Sequence, residues 1–449
     1  MKKIWTAGMA FILTVGLLAG CSGGNGNSQE ATGGSQGGSS SSEGNAEGGG
    51  GTEQVTLKMP VLPDDLEAFK AAYAVFQKEN PDIAIEFETY PQKQYYEKLR
   101  LQLSGGADYD LFAGNLDVML DTGILEPLDG YLKDNNTDMS GYGVLLDSMK
   151  INGHTYGLPY RKSNWMLYYN KTLFDEYNVP YPSEDMTWEE FRELAKAMTH
   201  GSGADKVYGA YMQQWPQTWY MQAVQKGSTI IDKDLSEFKN ALQLRMDMEQ
   251  EGSIMSWSEQ KSTGAHYNAA FQKGNVAMNL IGDWHVAQLR QAEDEGKIDF
   301  DWDVVPIPHP EGVSANTSLA LPVTLMINKN SKHKEAAFKA VAFMTGAQGA
   351  EVFASRGYLT GFTNEEIKKA YIGEGSRKPA NLHYFLEQRE YPEYPMLPGV
   401  KNIIVGQIYT QEGELALAGE QTAEQAIKRI EERIQAEWAN KYGEDFQTK

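Results

Sequence analysis

The chain has almost no cysteine, few histidines and a shortage of positive charge, and each shortage removes a class of function. Cys21 is the single cysteine in 449 residues and sits just after a leader-like segment, so the body carries no cysteine nucleophile. The seven histidines form no H-E-x-x-H motif and no pair at metal-ligand spacing. No G-x-S-x-G elbow and no phosphate-loop lysine motif occurs. "DKDLSE" at Asp232 begins like a calcium loop, but its sixth position is Glu237 rather than Gly and its twelfth is Gln243, which excludes an EF-hand. Forty Lys and Arg stand against 61 Asp and Glu, a net charge of −21. That surface repels nucleic-acid phosphates and anionic lipid heads. Its simplest use is a solvated acidic coat. Carboxylate pairs are so common here that their number leaves a glycan hydrolase open.

What is present is a large body behind a short leader. Hydrophobic residues make up 41% and aromatic residues 11%, enough to fill sizeable cores. The length suggests two or three domains. Lys2 and Lys3 precede an apolar run over residues 7–19, and "LAGC" closes it at Cys21. No other stretch approaches the roughly 18 apolar residues of a membrane span. Residues 22–53 are Gly, Ser, Asn, Gln and Glu with no large apolar side chain, so a flexible tether is expected, reaching on the order of 30 Å.

The body opens with strand, helix, strand, helix, strand. "VTLKMP" reads as a strand, and Leu66, Phe69, Tyr73 and Phe76 recur at helical spacing before Pro81. "IAIEFE" alternates, "YYEKLRLQLSGG" is a helix stopped by glycines, and "YDLFAGN" is a third strand with a short helix behind it. This order predicts a parallel sheet with helices on its faces. Thr187 with Glu190, and Thr422 with Gln425, form capping boxes that open helices. Ser331 is the expected N-cap of "KHKEAAFKAVAFM", and Ile427, Ile430, Ile434 and Trp438 share one helical face. No 20–50-residue repeat is found.

The lipobox-like "LAGC", "YYEKLRLQLSGGADYDLFAGN", "GHTYGLPY" followed by "LYYNKTLF", "TWEEFRELAKAM" and "FQKGNVAMNLIGDW" occur in one order. Together they resemble the sugar-type extracellular solute-binding proteins of bacterial ABC importers, the maltose-binding protein superfamily. The resemblance covers essentially the whole chain. It implies an α/β, two-lobed periplasmic-binding-protein-like (type II) fold with a ligand cleft between lobes joined by crossing hinge segments. Residues 158–169 would pass from the first lobe to the second, with return crossings near 320–323 and 357–361. The first lobe is then 54–160 plus 324–358, and the second 161–323 plus 359–449. Residues 1–20 would be a lipoprotein signal peptide, cleaved after Gly20, with lipid on Cys21 holding the protein to the outer face of the cell membrane. Expected partners are a mono- or oligosaccharide and the permease subunits of the transporter, with no nucleic acid, no cofactor, no metal and a monomeric chain.

A sugar offers weakly apolar C–H faces to aromatic rings and hydroxyls to carboxylates and amides. Trp284, with Asp283 before it, follows a strand's carboxyl end, where open α/β sheets bind ligands. The family commonly has a stacking Trp there. Trp215 and Trp219 sit in "MQQWPQTWY", broken by Pro216, and Trp165 begins the crossing strand. Trp188 and Trp438 read as core. Asn115 and Asp117 follow the third strand, though Asn115 can also cap the next helix. Asp64 follows the first strand, while Asp65 reads equally as an N-cap. Tyr394 lies in a Pro-rich loop that the family often folds over ligand. Arg161, Lys162, Ser163 and Asn164 crowd the mouth of the crossing segment; Arg161 and Asn164 are cleft candidates, and Arg161 offers a bidentate contact for an acidic sugar. A receptor of the same fold for an iron chelate, polyamine or peptide stays open beside the sugar reading. Adjacent Tyr95–Tyr96 and Tyr168–Tyr169 suggest iron ligation less than helical or strand packing, and neighbours on a strand point to opposite faces.

Overall fold

The computed structural model describes residues 54–373 and 377–439. Cys21, the leader and the Gly/Ser-rich tether lie outside the described residues. The described strands are β1 (Val55–Pro60), β2 (Ile83–Glu88), β3 (Leu111–Gly114), β4 (Gly157–Arg161), β5 (Trp165–Asn170) and β6 (Tyr208–Met212). They continue with β7 (Val276–Gly282), β8 (Trp302–Pro306), β9 (Thr317–Ala320), β10 (Val323–Ile327) and β11 (Arg389–Pro392). No helix among the described residues is long and apolar enough to cross a membrane.

The expected β–α–β opening is present. Helix Leu66–Glu79 buries Ala68, Phe69, Ala72 and Phe76 and returns the chain so that β2 runs parallel to β1. Pro81 bars a longer helix, because the residue before a proline is driven out of the helical region. The sheets as a whole are mixed rather than parallel. Of the four sheets among the described residues, two are strand pairs, β1-β2 and β11-β9, and the larger two have the orders β3-β10-β4 and β6-β7-β5-β8. β10 lies antiparallel to both neighbours, and β5 lies antiparallel to β7 and β8. The reason is that β5 and β10 are the strands that follow crossings between sheets, and they enter their sheets from the opposite end.

Trp165, Met166, Leu167, Tyr168 and Tyr169 are five large side chains in a row, and all five lie in β5. It is an inner strand, buried at every position, with its two faces covered. Between β4 and β5, Lys162, Ser163 and Asn164 leave the strand. There the chain runs beside a second crossing: Lys162 N–H donates to Leu359 O at 2.7 Å, and Gly361 N–H donates to Tyr160 O at 3.4 Å. The close approach requires glycine at 361, since a Cβ would stand 2.3 Å from Pro159 O.

Both capping boxes form, Thr187 with Glu190 and Thr422 with Gln425. The apolar stripe of Ile427, Ile430, Ile434 and Trp438 is buried, as is Trp188. Ser331 is not the N-cap. Helix Lys334–Thr345 starts after His333, while Ser331 Oγ donates to Asp110 Oδ1 at 2.6 Å, a partner far away in sequence. Asp65 does hold an N-cap position, yet it makes no capping bond because its carboxylate is engaged elsewhere.

The packing of β6 is the tightest close approach. A Cβ on Gly209 would lie 1.7 Å from Ala195 O of helix Trp188–Ala197. Neither backbone can yield without moving an element. Gly209→Ala is therefore expected to lower stability by about 3 kcal/mol, the upper range for overpacking. Urea denaturation would show this as a lower midpoint at unchanged slope.

Candidate ligand-binding site

Strand direction brings three tryptophans together. β6 and β7 are parallel, so their carboxyl ends, Met212 and Gly282, lie at one edge of the sheet. β5 is antiparallel to β7 and sets Trp165, its first residue, opposite Gly282. Trp215 follows β6, Trp284 follows β7, and Trp165 opens β5, so all three collect at that edge. The ring centroids are 5.7 Å apart for Trp165–Trp284, 6.3 Å for Trp165–Trp215 and 6.2 Å for Trp215–Trp284. Trp165 is buried beneath, while Trp215 and Trp284 are half-buried and keep surface to offer. Gly282 permits this: a Cβ there would come within 2.0 Å of the Trp284 ring, which lies back over the strand end.

A hydrogen-bond chain runs through this group. Asn279 Nδ2 lies 3.3 Å from His285 Nε2, and His285 Nδ1 lies 3.1 Å from Gln288 Oε1. Burial lowers the His285 pKa to about 3, so the ring is neutral with one N–H. Asn279 donates to Nε2, which leaves the proton on Nδ1 for Gln288. The Gln288 amide then donates to Tyr267 Oη at 3.0 Å and to Asp64 Oδ2 at 3.1 Å. Trp284 Nε1–H donates to the same Tyr267 oxygen at 3.0 Å. Asp64, exposed at the end of β1, is thus joined to helix Trp284–Asp294.

Arg161 and Asp283 form the floor of the crossing. Arg161 is buried, and its Nε donates to Asp65 Oδ2 at 3.2 Å, an oxygen that also accepts from Tyr160 Oη at 2.5 Å. Burial opposes the guanidinium charge, but Asp65, Tyr160 and Asp283 more than offset it, so the group stays charged. Its Cζ lies 5.7 Å from the Trp284 ring centroid. Asn164 is fully buried and donates to Glu390 Oε1 at 2.9 Å, alongside Lys162 Nζ at 2.7 Å. Asp283 accepts from Leu359 N–H at 3.2 Å. Burial, only partly countered by Arg161, pushes the Asp283 pKa up to about 7.

Asn115, Asp117 and Tyr394 form a second group. Asn115 precedes helix Leu116–Met119 without capping it; its side chain accepts from Tyr96 Oη instead. Tyr394 Oη donates to Asp117, and Lys401 Nζ lies 5.5 Å from the Tyr394 ring. Beside them the buried Glu393 accepts from Tyr220 Oη at 2.5 Å. Burial raises the pKa values of both Asp117 and Glu393. The Tyr96 hydroxyl also accepts from the Asn115 N–H at 3.2 Å. Trp219 lies behind the second group, edge-on to Tyr220 at 5.5 Å, and is buried and stacked on Tyr409, with centroids 5.8 Å apart and planes at 20°.

Tyr267, Gln288, Glu390 and Glu393 escaped the sequence reading, and Tyr96 reads there only as packing. Gln288 had a readable signal, four residues after Trp284 and so on the same helix face. Among the described residues no three His, Cys, Asp or Glu side chains converge as a metal site.

The model of the bacterial extracellular solute-binding proteins matches residues 60–351. The chain belongs to that family. A crystal structure of a sugar transporter from Rhizobium etli, in an open conformation, is 28% identical to this solute-binding protein. It covers 85% of this chain and 99% of its own, with a TM-score of 0.71. An ABC substrate-binding protein of Listeria monocytogenes, in complex with cycloalternan, is 25% identical over 86% of this chain and 99% of that one, with a TM-score of 0.75. A binding protein of Brucella abortus is 25% identical over 367 residues, 77% of this chain and 85% of its own. The two-lobed α/β architecture of this solute-binding protein is thereby shown.

Asp283 ties the stability of the solute-binding body to pH. Its folded pKa, about 7, lies above the roughly 3.9 of an unfolded Asp. The folded state therefore holds the proton more tightly, and that contribution is lost as pH rises from about 4 to 7. Asp283→Asn keeps an acceptor for Leu359 and removes the titration. Urea denaturation at pH 5 and pH 8 should find wild type losing about 2–3 kcal/mol relative to the variant between the two pH values. A gap unchanged with pH would mean that Asp283 is already ionised when folded.

Proposed function

We propose that this protein is the substrate-capturing lipoprotein of an ABC importer and that its ligand is a neutral sugar or oligosaccharide. The observation that carries this is the trio Trp165, Trp215 and Trp284 at one sheet edge, with two half-buried rings beside the amide of Gln288 and the carboxylate of Asp64. Rings take the C–H faces of a sugar, and the amide and carboxylate take its hydroxyls. The Listeria neighbour bound to cycloalternan and the Rhizobium sugar transporter support the same ligand class. Arg161 is already paired with Asp65, which favours a neutral ligand over an acidic one.

We assign residues 54–160 and 324–358 to the first lobe, and 161–323 and 359–439 to the second. The separation of β3-β10-β4 from β6-β7-β5-β8 supports this division. Ligand would first settle on the tryptophans of the second lobe. Closure would then add contacts from Asp64, Asn115 and Asp117, driven by the ligand's greater affinity for the closed state. Lipid on Cys21 would keep the body at the outer membrane face, and the closed form would dock on the permease. The protein acts by binding and release, without chemistry on its ligand.

Calorimetric titration against neutral mono- and oligosaccharides should give a saturable isotherm for at least one. Trp284→Ala and Trp215→Ala should each weaken it at least tenfold, about 1.4 kcal/mol, while Trp219→Ala changes affinity less than its effect on stability would suggest. Heat from a peptide, polyamine or iron chelate with none from any saccharide would overturn the ligand class. Release of reducing ends during the titration would overturn the binding-only role.

A further inference from the structure

Asp64 and Gln288, bonded to each other beside the aromatic cluster, also line an open groove of about 870 Å³. That volume lies near the upper end of the roughly 300–1,000 Å³ of sites that take a drug-sized ligand. One wall comes from residues 63–68 and 352–358, the other from helices Tyr267–Gln272 and Trp284–Asp294.

The second wall is a row of amides. Asn268 and Gln272 are four apart on one helix, and Gln288 and Gln291 are three apart on the other, so each pair shares a helix face. Gln272 donates to Asn268 at 2.6 Å, and Gln291 donates to Glu295 at 2.9 Å. Each amide keeps further donor or acceptor capacity toward the groove. The lining carries four acidic side chains, Asp64, Glu67, Asp294 and Glu295, against four basic ones, Arg290, Lys297, Arg356 and Arg377, and two pairs form directly, Arg377 with Asp294 at 3.1 Å and Lys297 with Glu295 at 2.5 Å. A lining of this kind has little attraction for an ion and many hydrogen bonds for a polyhydroxylated chain. It differs from the cluster in having no tryptophan. A chain whose first units stack on Trp215 and Trp284 can be followed by units held by hydroxyl contacts alone.

We infer that the groove is an extension of the binding site, lined by Asn268, Gln272, Gln288 and Gln291, and that the ligand is a neutral oligosaccharide long enough to run past Trp284 into it. This rests on the sugar reading above. Asp64 and Gln288 mark the junction, where a hydroxyl of the entering chain replaces their mutual hydrogen bond.

The test is calorimetry on the full chain with ladders of neutral gluco-, manno- and xylo-oligosaccharides, from one unit to six. On the ladder that binds, affinity should climb at least tenfold beyond the shortest unit that gives a measurable isotherm, then level off when the groove is full. The double variant Asn268→Ala, Gln272→Ala, and separately Gln291→Ala, should remove most of that gain for the long members and leave the shortest within about twofold. Affinity that stays flat with length, or variants that weaken all lengths alike, would overturn the groove and leave the sugar reading standing. Binding of no saccharide on any ladder would overturn both.

Discussion

The register that sets Trp165 opposite Gly282 governs everything at the sheet edge. Side chains alternate along a strand, so a slip of one residue would turn Trp165 to the other face and part it from Trp284. The register is secure because β5 is buried on both faces between β7 and β8, where every position has a fitted partner. Gly282 completes the arrangement by leaving room for the Trp284 ring. One antiparallel pairing thus fixes the relative positions of two aromatic rings, and the parallel pairing of β6 to β7 adds the third.

Around that edge the polar groups are held by one another. Asp65 carries both Tyr160 and Arg161, Asp283 carries the Leu359 amide, and Glu390 carries Lys162 and Asn164. Burying a charge is costly unless it is paired and hydrogen-bonded. Arg161 meets that requirement through Asp65, whereas Asp283 meets it by taking up a proton more readily than a free carboxyl. Two acidic groups that act on the same guanidinium thus resolve their burial in different ways.

Local signals were legible and remote ones were not. Thr187 and Thr422 cap helices through partners three residues away, so the sequence alone displayed the whole interaction. Ser331 looked equivalent, but its hydroxyl goes to Asp110 across the fold, which no local pattern could reveal. The same distinction separates the tryptophans. Trp215 and Trp284 stand out because they follow strand ends, a position with a known geometry. Trp219 lies inside the buried helix Gln217–Gln225, and its stack on Tyr409 depends on a segment far along the chain. Gln288 was within reach of a helical-spacing argument from Trp284. Tyr96 and Glu393 were not, since their roles come from Asn115 and Tyr220.

Two of the three crossing segments are bonded to each other, Lys162 to Leu359 and Gly361 to Tyr160, and the third meets them where Val323 pairs with Arg161. Strands joined in this way form a ribbon, stiff against sliding along its length and compliant to bending across it. With Pro159 pressed against Gly361, even twisting is restricted. The halves of the protein are therefore linked less like beads on two strings than like the covers of a book on a single spine, and a mouth built on such a spine opens along one arc.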